Sequence, residues 1–219
     1  MSAEAARRPR RRWWLRWPVL AAALLVGLIP LGLIVGLAAG YKPFYIASEA
    51  MEPTLRKGDG IIVLMQAPSG LKRGDVVLVD GPNDSVYVKR LAALPGDRIA
   101  LDQGIVVVNG KRLEQQNVGE GLVDSGPLKE KVQILSERFD GESEPHRIFD
   151  TGFFPDVDDF GETLVEPGHV FVLGDNRDKS ADSRVPPENM GVGQVPISSI
   201  RGKAMFHSWG SSRRFGDPI

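Results

Sequence analysis

The chain has 219 residues, which suits one domain of ordinary size or one domain with an attachment. Its 27 Lys and Arg against 28 Asp and Glu leave a formal charge of −1, which argues against a generally basic nucleic-acid binder. There is no cysteine, so disulfide scaffolds, thiolate metal sites and cysteine nucleophiles are excluded, and His146, His169 and His207 stand too far apart for an HExxH or paired-ligand motif.

The near-neutral total conceals a split. Residues 1–40 carry six arginines (Arg7, Arg8, Arg10, Arg11, Arg12 and Arg16) and one acid, Glu4, for a net +5, whereas residues 41–219 carry 21 basic and 27 acidic side chains, for a net −6. Residues 1–16 therefore read as a basic N-terminus. From Trp17 to Gly40 the next 24 residues contain no charge and are rich in Leu, Ala, Val, Ile and Gly. At 1.5 Å per residue such a helix crosses a hydrocarbon core of about 30 Å. Pro18 sits harmlessly at its start, and Pro30 is expected to kink it. Trp13, Trp14 and Trp17 flank one end; Tyr41, Phe44 and Tyr45 follow the other, as an aromatic belt does. The preceding arginines place the N-terminus in the cytoplasm and the main domain outside. A cleavable leader has an apolar region of about 7–15 residues, so residues 17–40 are read as a retained single-pass anchor.

Beyond the anchor, short β-branched runs recur between Gly, Pro, Asn and Asp. They are Gly60–Leu64, Asp75–Val79, Ser85–Lys89, Ile105–Asn109, His169–Leu173 and Ile200–Phe206. Asn109-Gly110 between Ile105–Val108 and Lys111–Leu113 predicts a two-residue hairpin. No long 3.6-residue period appears after residue 41. Leu128–Phe139 is the one candidate short helix, although its apolar residues fit one face poorly. The expected fold is mainly β: one N-terminal transmembrane helix and an antiparallel β domain with an inserted cap. Residues 41–113 and 167–209 form the β core, 114–166 the insertion, with Asp140–Pro145 a candidate disordered stretch, and 210–219 a polar, frayed tail.

Three clusters of residues suit chemistry. They are Ser48-Glu-Ala-Met-Glu-Pro-Thr-Leu55, Tyr87-Val-Lys-Arg90 followed by Leu94-Pro-Gly-Asp97, and Gly174-Asp-Asn-Arg-Asp-Lys-Ser-Ala-Asp-Ser-Arg184. Alternation puts Val86 and Val88 on one face of a strand and Tyr87 and Lys89 on the other. Lys89 has two readings: a solvated cation beside Arg90, or a buried amine whose pKa is lowered enough to act as a base. The third cluster is either a charge-paired polar loop or a packed turn that holds a reacting group, with Ser180 orienting an amine and Asp182 pairing with Arg184. Spacing does not choose between these alternatives.

Taken together, the three clusters and the anchor resemble bacterial signal peptidase I, the membrane-anchored serine endopeptidase with a Ser–Lys dyad. Its pattern runs Ser-x-Ser-Met-x-Pro-Thr-Leu, then Lys-Arg before Leu-Pro-Gly-Asp, then Gly-Asp-Asn-x-x-x-Ser-x-Asp-Ser-Arg. The late Val195-Pro196 and Ile200-Arg-Gly-Lys-Ala204 also match, and the likeness covers about residues 10–209. It implies removal of N-terminal signal peptides from exported precursors after Ala-x-Ala-like sites at the outer face of the plasma membrane. By the same match Lys89 is the general base, Ser180 bonds its amine, and Asp182 and Arg184 brace the loop. Ser48 and the N–H of residue 50 serve the oxyanion, and Phe44, Ile46, Met51, Leu55 and Val88 line shallow apolar pockets. A substrate strand would add between the segments near 44–49 and 86–89. Precursor proteins and membrane lipid are the implied partners, with no nucleic acid, metal or other cofactor.

The chain departs from the pattern at its most important position. The nucleophilic serine aligns with Ala50, and a methyl group cannot attack a carbonyl. Ala47 and Glu49 also replace the usual Pro and small residue. Three readings of Ala50 are open. One is a non-catalytic relative that binds signal segments or a partner as a scaffold. Another is an enzyme using Ser48 as a displaced nucleophile, about 7 Å away along a strand. The third is a serine replaced deliberately, against which the changes at 47 and 49 argue. Outside the family reading, a membrane-anchored β scaffold with no chemistry is the competing class.

Overall fold

In the computed structural model the described residues are 17–65, 70–125, 128–210 and 215–219. The basic N-terminus, with Trp13 and Trp14, lies outside them. Two compact units are present, Met1–Tyr41 and Lys42–Ile219. In the first, the uncharged segment forms helix α1 (Trp17–Ala38), 22 residues long with Pro30 inside it. The side chains of residues 19, 20, 23–25, 27 and 33 are outside the described set. Among the described residues, no helix is long and apolar enough to cross a membrane on the side chains described, which in α1 leave out seven of its 22 residues.

The second unit is mainly antiparallel β, as the recurring β-branched runs predict. A seven-stranded sheet has the order β1-β2-β14-β3-β4-β12-β13. Its strands are β1 (Tyr41–Tyr45), β2 (Gly60–Leu64), β3 (Val76–Asp80), β4 (Val86–Ala93), β12 (His169–Leu173), β13 (Val195–Pro196) and β14 (Ile200–Trp209). A second sheet, of four strands, runs β11-β5-β6-β7 and uses β5 (Arg98–Asp102), β6 (Ile105–Val108), β7 (Lys111–Arg112) and β11 (Phe160–Leu164). The third sheet is β10-β9-β8, from β8 (Gln115–Ser125), β9 (Leu128–Glu137) and β10 (His146–Asp150). One short helix, α2 (Pro155–Asp158), precedes β11.

The predicted hairpin forms: Val108 pairs with Lys111, and Asn109 and Gly110 take φ of 53° and 77°. Two positive φ values define the tight turn whose twist matches the flanking strands, and Gly adopts the second without a side-chain penalty. Leu128–Phe139 is not helical. Its first ten residues form β9, which pairs along its length with β8. Partners on both sides supply what its own periodicity lacks: Val132 and Ile134 pack with Val123 and Phe149 in a small cluster. The segment 114–166 contributes three strands to their own sheet, while β11 joins β5 of the second sheet.

Asp140–Pro145 forms a turn rather than a disordered stretch, because the Glu142 carboxylate accepts from Phe139 N–H at 2.6 Å and bonds the His146 ring. The tail also returns to the body. His207 N–H donates to the Asp217 carbonyl at 2.9 Å, Gly216 N–H donates to the His207 carbonyl at 2.8 Å, and Ile219 packs on the core. Residues 211–214 lie outside the described set.

Phe139 ties the third sheet to the rest. It directly follows β9, yet its fully buried ring belongs to a cluster with Ala92, Ile99, Leu101, Val106 and Phe171 from β4, β5, β6 and β12. Truncating such a ring leaves a cavity that a rigid sheet packing fills poorly. Phe139→Ala is therefore expected to destabilise the fold by about 3–5 kcal/mol, measured as a shift in urea denaturation.

Candidate functional site

The site is assembled on adjacent strands. In β4, Lys89 pairs with Val77 and Arg90 with Val76 of β3, while on the other side Arg90 pairs with Leu173 of β12. The chain leaves β12 at Gly174 and runs through the charged third cluster before returning. Ser183 N–H donates to the Val172 carbonyl, and Val172 N–H donates to Ser183 Oγ, so the loop is stitched to the strand it left.

Lys89 is the buried alternative of the two readings. Its side chain is nearly sealed, with the residue 2% exposed. Its amine donates to Ser180 Oγ at 2.7 Å and lies 5.3 Å from the centre of the Tyr87 ring, the neighbour that strand alternation predicts. Burial disfavours the ammonium form and pulls its pKa from 10.5 to about 8. Asp182 opposes that shift and Arg184 reinforces it.

Asp182 and Arg184 form the expected brace. Arg184 Nε and Nη2 each donate at 2.9 Å to the two oxygens of Asp182, and both side chains are fully buried. Asp182 also accepts from Gly174 N–H at 3.0 Å, and Arg184 donates to the Arg177 and Val157 carbonyls. Burial alone would raise Asp182, but the Arg184 guanidinium holds it below the usual carboxylate range.

Residue 50 meets the same loop. The Asn176 N–H donates to the Ala50 carbonyl at 3.1 Å. At Gly174 a Cβ would stand 2.6 Å from the Ala50 carbonyl oxygen and would overlap Ser180. Lys89, Ser180 and the backbone of residue 50 therefore converge across the bare face of one glycine. Ser48 is exposed. The five expected pocket residues share one cluster: Ile46, Met51 and Leu55 are buried in it, and Phe44 and Val88 pack against it. Met51 and Leu55, at 2% and 0% exposed, are sealed core side chains and offer a substrate no open surface, unlike the half-buried Phe44 and Val88.

Several charged residues that support the site were not singled out individually in the sequence. Arg90 donates to both oxygens of Asp175, at 2.8 and 2.6 Å, and Asp175 also accepts from Thr54 Oγ1. This ties the second cluster, the third and the Ala50 segment together. Arg177 reaches away from the site to Glu137 on β9, with two bonds at 3.1 and 2.5 Å. His146 of β10 stands 3.1 Å from Glu142 and 3.5 Å from Glu137, stacked on Phe139. Burial pushes the imidazole towards neutrality, but these carboxylates outweigh it and raise its pKa. Thr54, Arg90, Asp175 and Arg177 lie in or beside the motifs and were legible as a block. Glu137, Glu142 and His146 had no signal, because contacts from the distant loop, Arg177 to Glu137 and Asn176 to Phe149, bring their sheet there.

Known proteins resemble this chain in sequence. The sequence profile of the family described as signal peptidase, peptidase S26 matches residues 14–209. A signal peptidase I of Bacillus caldolyticus is 33% identical over 196 residues, covering 89% of this chain and 90% of that one. A signal peptidase I of Rickettsia canadensis is 40% identical over 142 residues, covering 62% of this chain and 51% of its own length. A crystal structure of a signal peptidase I from Enterococcus faecalis aligns with a TM-score of 0.35 and 22% identity, over 62% of this chain and 97% of that one. The chain belongs to the signal peptidase family of serine peptidases, peptidase S26.

Two outcomes follow from the site. Gly174→Ala would force Ser180 and the 49–50 backbone apart, with an expected loss of about 1–3 kcal/mol in denaturation, as for other overpacked interiors. For Lys89 the sign is fixed by its lowered pKa. Between pH 8 and 10.5 the unfolded chain holds the proton that the folded chain has released, so raising pH favours folding there. The stability of the native chain relative to Lys89→Met should therefore rise by up to about 3 kcal/mol across that range and stay flat below it.

Proposed function

We propose that the chain is a signal peptidase I-type endopeptidase that removes N-terminal signal peptides from exported precursors, after Ala-x-Ala-like sites at the outer face of the plasma membrane. The observation that carries this reading is the sealed Lys89 amine on Ser180, with a pKa drawn down to about 8. An ammonium in that place weakens the fold and adds nothing to the binding of an apolar segment. A base near neutral pH is what it supplies.

Membership of the family supports the substrate class. The half-buried Phe44 and Val88, packed on the cluster around Ile46, Met51 and Leu55, are the apolar side chains left to meet a substrate, and the preference for small side chains rests on family membership. We place the anchor in α1. Its 22 residues extend about 33 Å, and its apolar Val26, Ile29, Ile34 and Val35 are 58–74% exposed with no polar face to turn to water. Lipid is the medium that such a helix fits, and the arginines before it keep its start in the cytoplasm.

Ala50 sets the chemistry. Its methyl carries no oxygen, so the attacking hydroxyl in this reading is Ser48, brought to the base by a local shift of the exposed segment. The Ala50 side chain also favours a second reading, a non-catalytic member that holds signal segments or a partner without cutting. A precursor with an Ala-x-Ala site separates the two. We expect cleavage by the native chain, a loss of at least about 10³-fold in Ser48→Ala and in Lys89→Met, and faster cleavage by Ala50→Ser. Silence of the native chain with activity in Ala50→Ser would establish the binding reading. Silence of both would remove Lys89 as a base.

A further inference from the structure

We infer that Asn176 is a positioning residue for the oxyanion site, through a two-point grip on the backbone of residues 49 and 50. This inference rests on the proposed peptidase reading of the site.

Asn176 is 1% exposed and reaches the Ser48–Leu55 segment with two different donors. Its side-chain Nδ2 donates to the Glu49 carbonyl at 3.2 Å, and its backbone N–H donates to the Ala50 carbonyl at 3.1 Å. A carbonyl accepts only from the NH₂ end of the amide, so the partner fixes which way the side chain is turned. The Oδ1 end is buried with no hydrogen-bond partner among the described residues. Holding the Glu49 carbonyl is therefore the one hydrogen bond that orients this side chain.

The consequence lies on the far side of the same peptide. The Glu49 carbonyl and the Ala50 N–H belong to one planar unit, and in a trans peptide they point in opposite directions. Drawing the Glu49 oxygen towards Asn176 turns the Ala50 N–H away from the loop. Glu52 N–H donates to the same oxygen at 3.1 Å and holds it from a second side. The Ala50 N–H has no acceptor of its own among the described residues. A half-buried donor left free and locked in direction is what a developing oxyanion requires, because its dipole is already aligned before charge appears.

Asn176 is itself fixed from the third sheet. It forms a bridge with Phe149 of β10, and the Phe149 N–H donates to the Asp175 carbonyl at 2.8 Å. The direction of one N–H at residue 50 thus depends on contacts made by residues 137–150.

The test uses the full-length Ala50→Ser chain as the parent, with Asn176→Ala and Asn176→Asp introduced into it. Both variants keep the backbone N–H and remove the Nδ2 donor; Asn176→Ala removes the whole carboxamide with it, and Asn176→Asp keeps the shape but turns a carboxylate oxygen towards the Glu49 carbonyl. On an Ala-x-Ala precursor we expect kcat to fall by about 10- to 100-fold in each, with KM within about threefold of the parent. Unchanged kcat, or KM rising in step with the fall in kcat, would overturn the proposal. A crystal structure of Asn176→Ala provides the second measurement: a rotated 49–50 peptide supports the grip, and a peptide held as before refutes it. If neither the native chain nor the Ala50→Ser parent cleaves, the peptidase reading fails, and the peptide orientation alone then decides whether Asn176 sets it.

Discussion

The arrangement depends on keeping one amine dry. Lys89 sits on a central strand, and the groups that bond it or set its charge belong to the loop after β12. Ser180 accepts its hydrogen bond, Asp182 supplies a nearby negative charge, and Arg184 holds that carboxylate in place. An ammonium in such a place is disfavoured by desolvation, and a single neutral hydroxyl does not offset the loss. The loop tolerates this because its own hydrogen bonding is nearly closed: Asp182 is shared between Arg184 and Gly174, and Ser183 is bonded to Val172 in both directions. The rigidity of the loop and the low pKa of the amine are one property. Opening the loop would hydrate Lys89 and return it towards an ordinary surface lysine.

The buried ion pairs around this loop specify geometry more than they add stability. Arg90–Asp175 and Arg177–Glu137 are each hydrogen-bonded through two contacts, and all four side chains are buried. Apolar replacements of similar volume often match or exceed such pairs in stability. Apolar replacements would not keep direction. Arg90 aims Asp175 at Thr54, which sets the segment carrying residue 50 against the loop. Arg177 aims at Glu137, which sets the loop against β9. The carboxylates of Glu137 and Glu142 on either side of His146 raise its pKa, so its protonated form would offset their mutual repulsion. The third sheet is therefore joined by the Arg177–Glu137 ion pair to the loop after β12.

The parts of the fold legible in the sequence are those carried by local pattern. Alternation in Tyr87–Lys89, the Asn109-Gly110 turn and the short β-branched runs each report backbone geometry within a few residues, and the strands form where they indicate. Leu128–Glu137 did not report itself, because its strand character comes from neighbours on both edges and not from its own periodicity. The contacts of the last residues are silent in the sequence for a related reason: polar composition says nothing of the edge of β14 that Gly216 and Asp217 meet. At the site, the motifs named Lys89, Ser180, Asp182 and Arg184, and all four come together. Whether Lys89 was solvated or sealed was beyond spacing to decide, since that depends on a loop about 90 residues later in the chain. Glu137 and His146 were invisible for the same reason.

Ala50 shows why recognition, transition-state stabilisation and nucleophilic attack must be considered separately. The apolar cluster under Met51 and Leu55 is unaffected by the absence of an oxygen at residue 50, because it is built from neighbouring side chains. The N–H of residue 50 is backbone and survives any side chain except proline. Its direction is set by Asn176 and by the turn at Glu52, not by the group on Cβ. What residue 50 lacks is an oxygen on its own side chain. A pocket that merely held an apolar segment would be more stable with a hydrocarbon in place of Lys89, so the dry amine is the feature that binding alone leaves unexplained. An amine of pKa about 8 is useful where a hydroxyl must lose its proton. That requirement turns attention from residue 50 to Ser48, the exposed hydroxyl two residues upstream on the same segment.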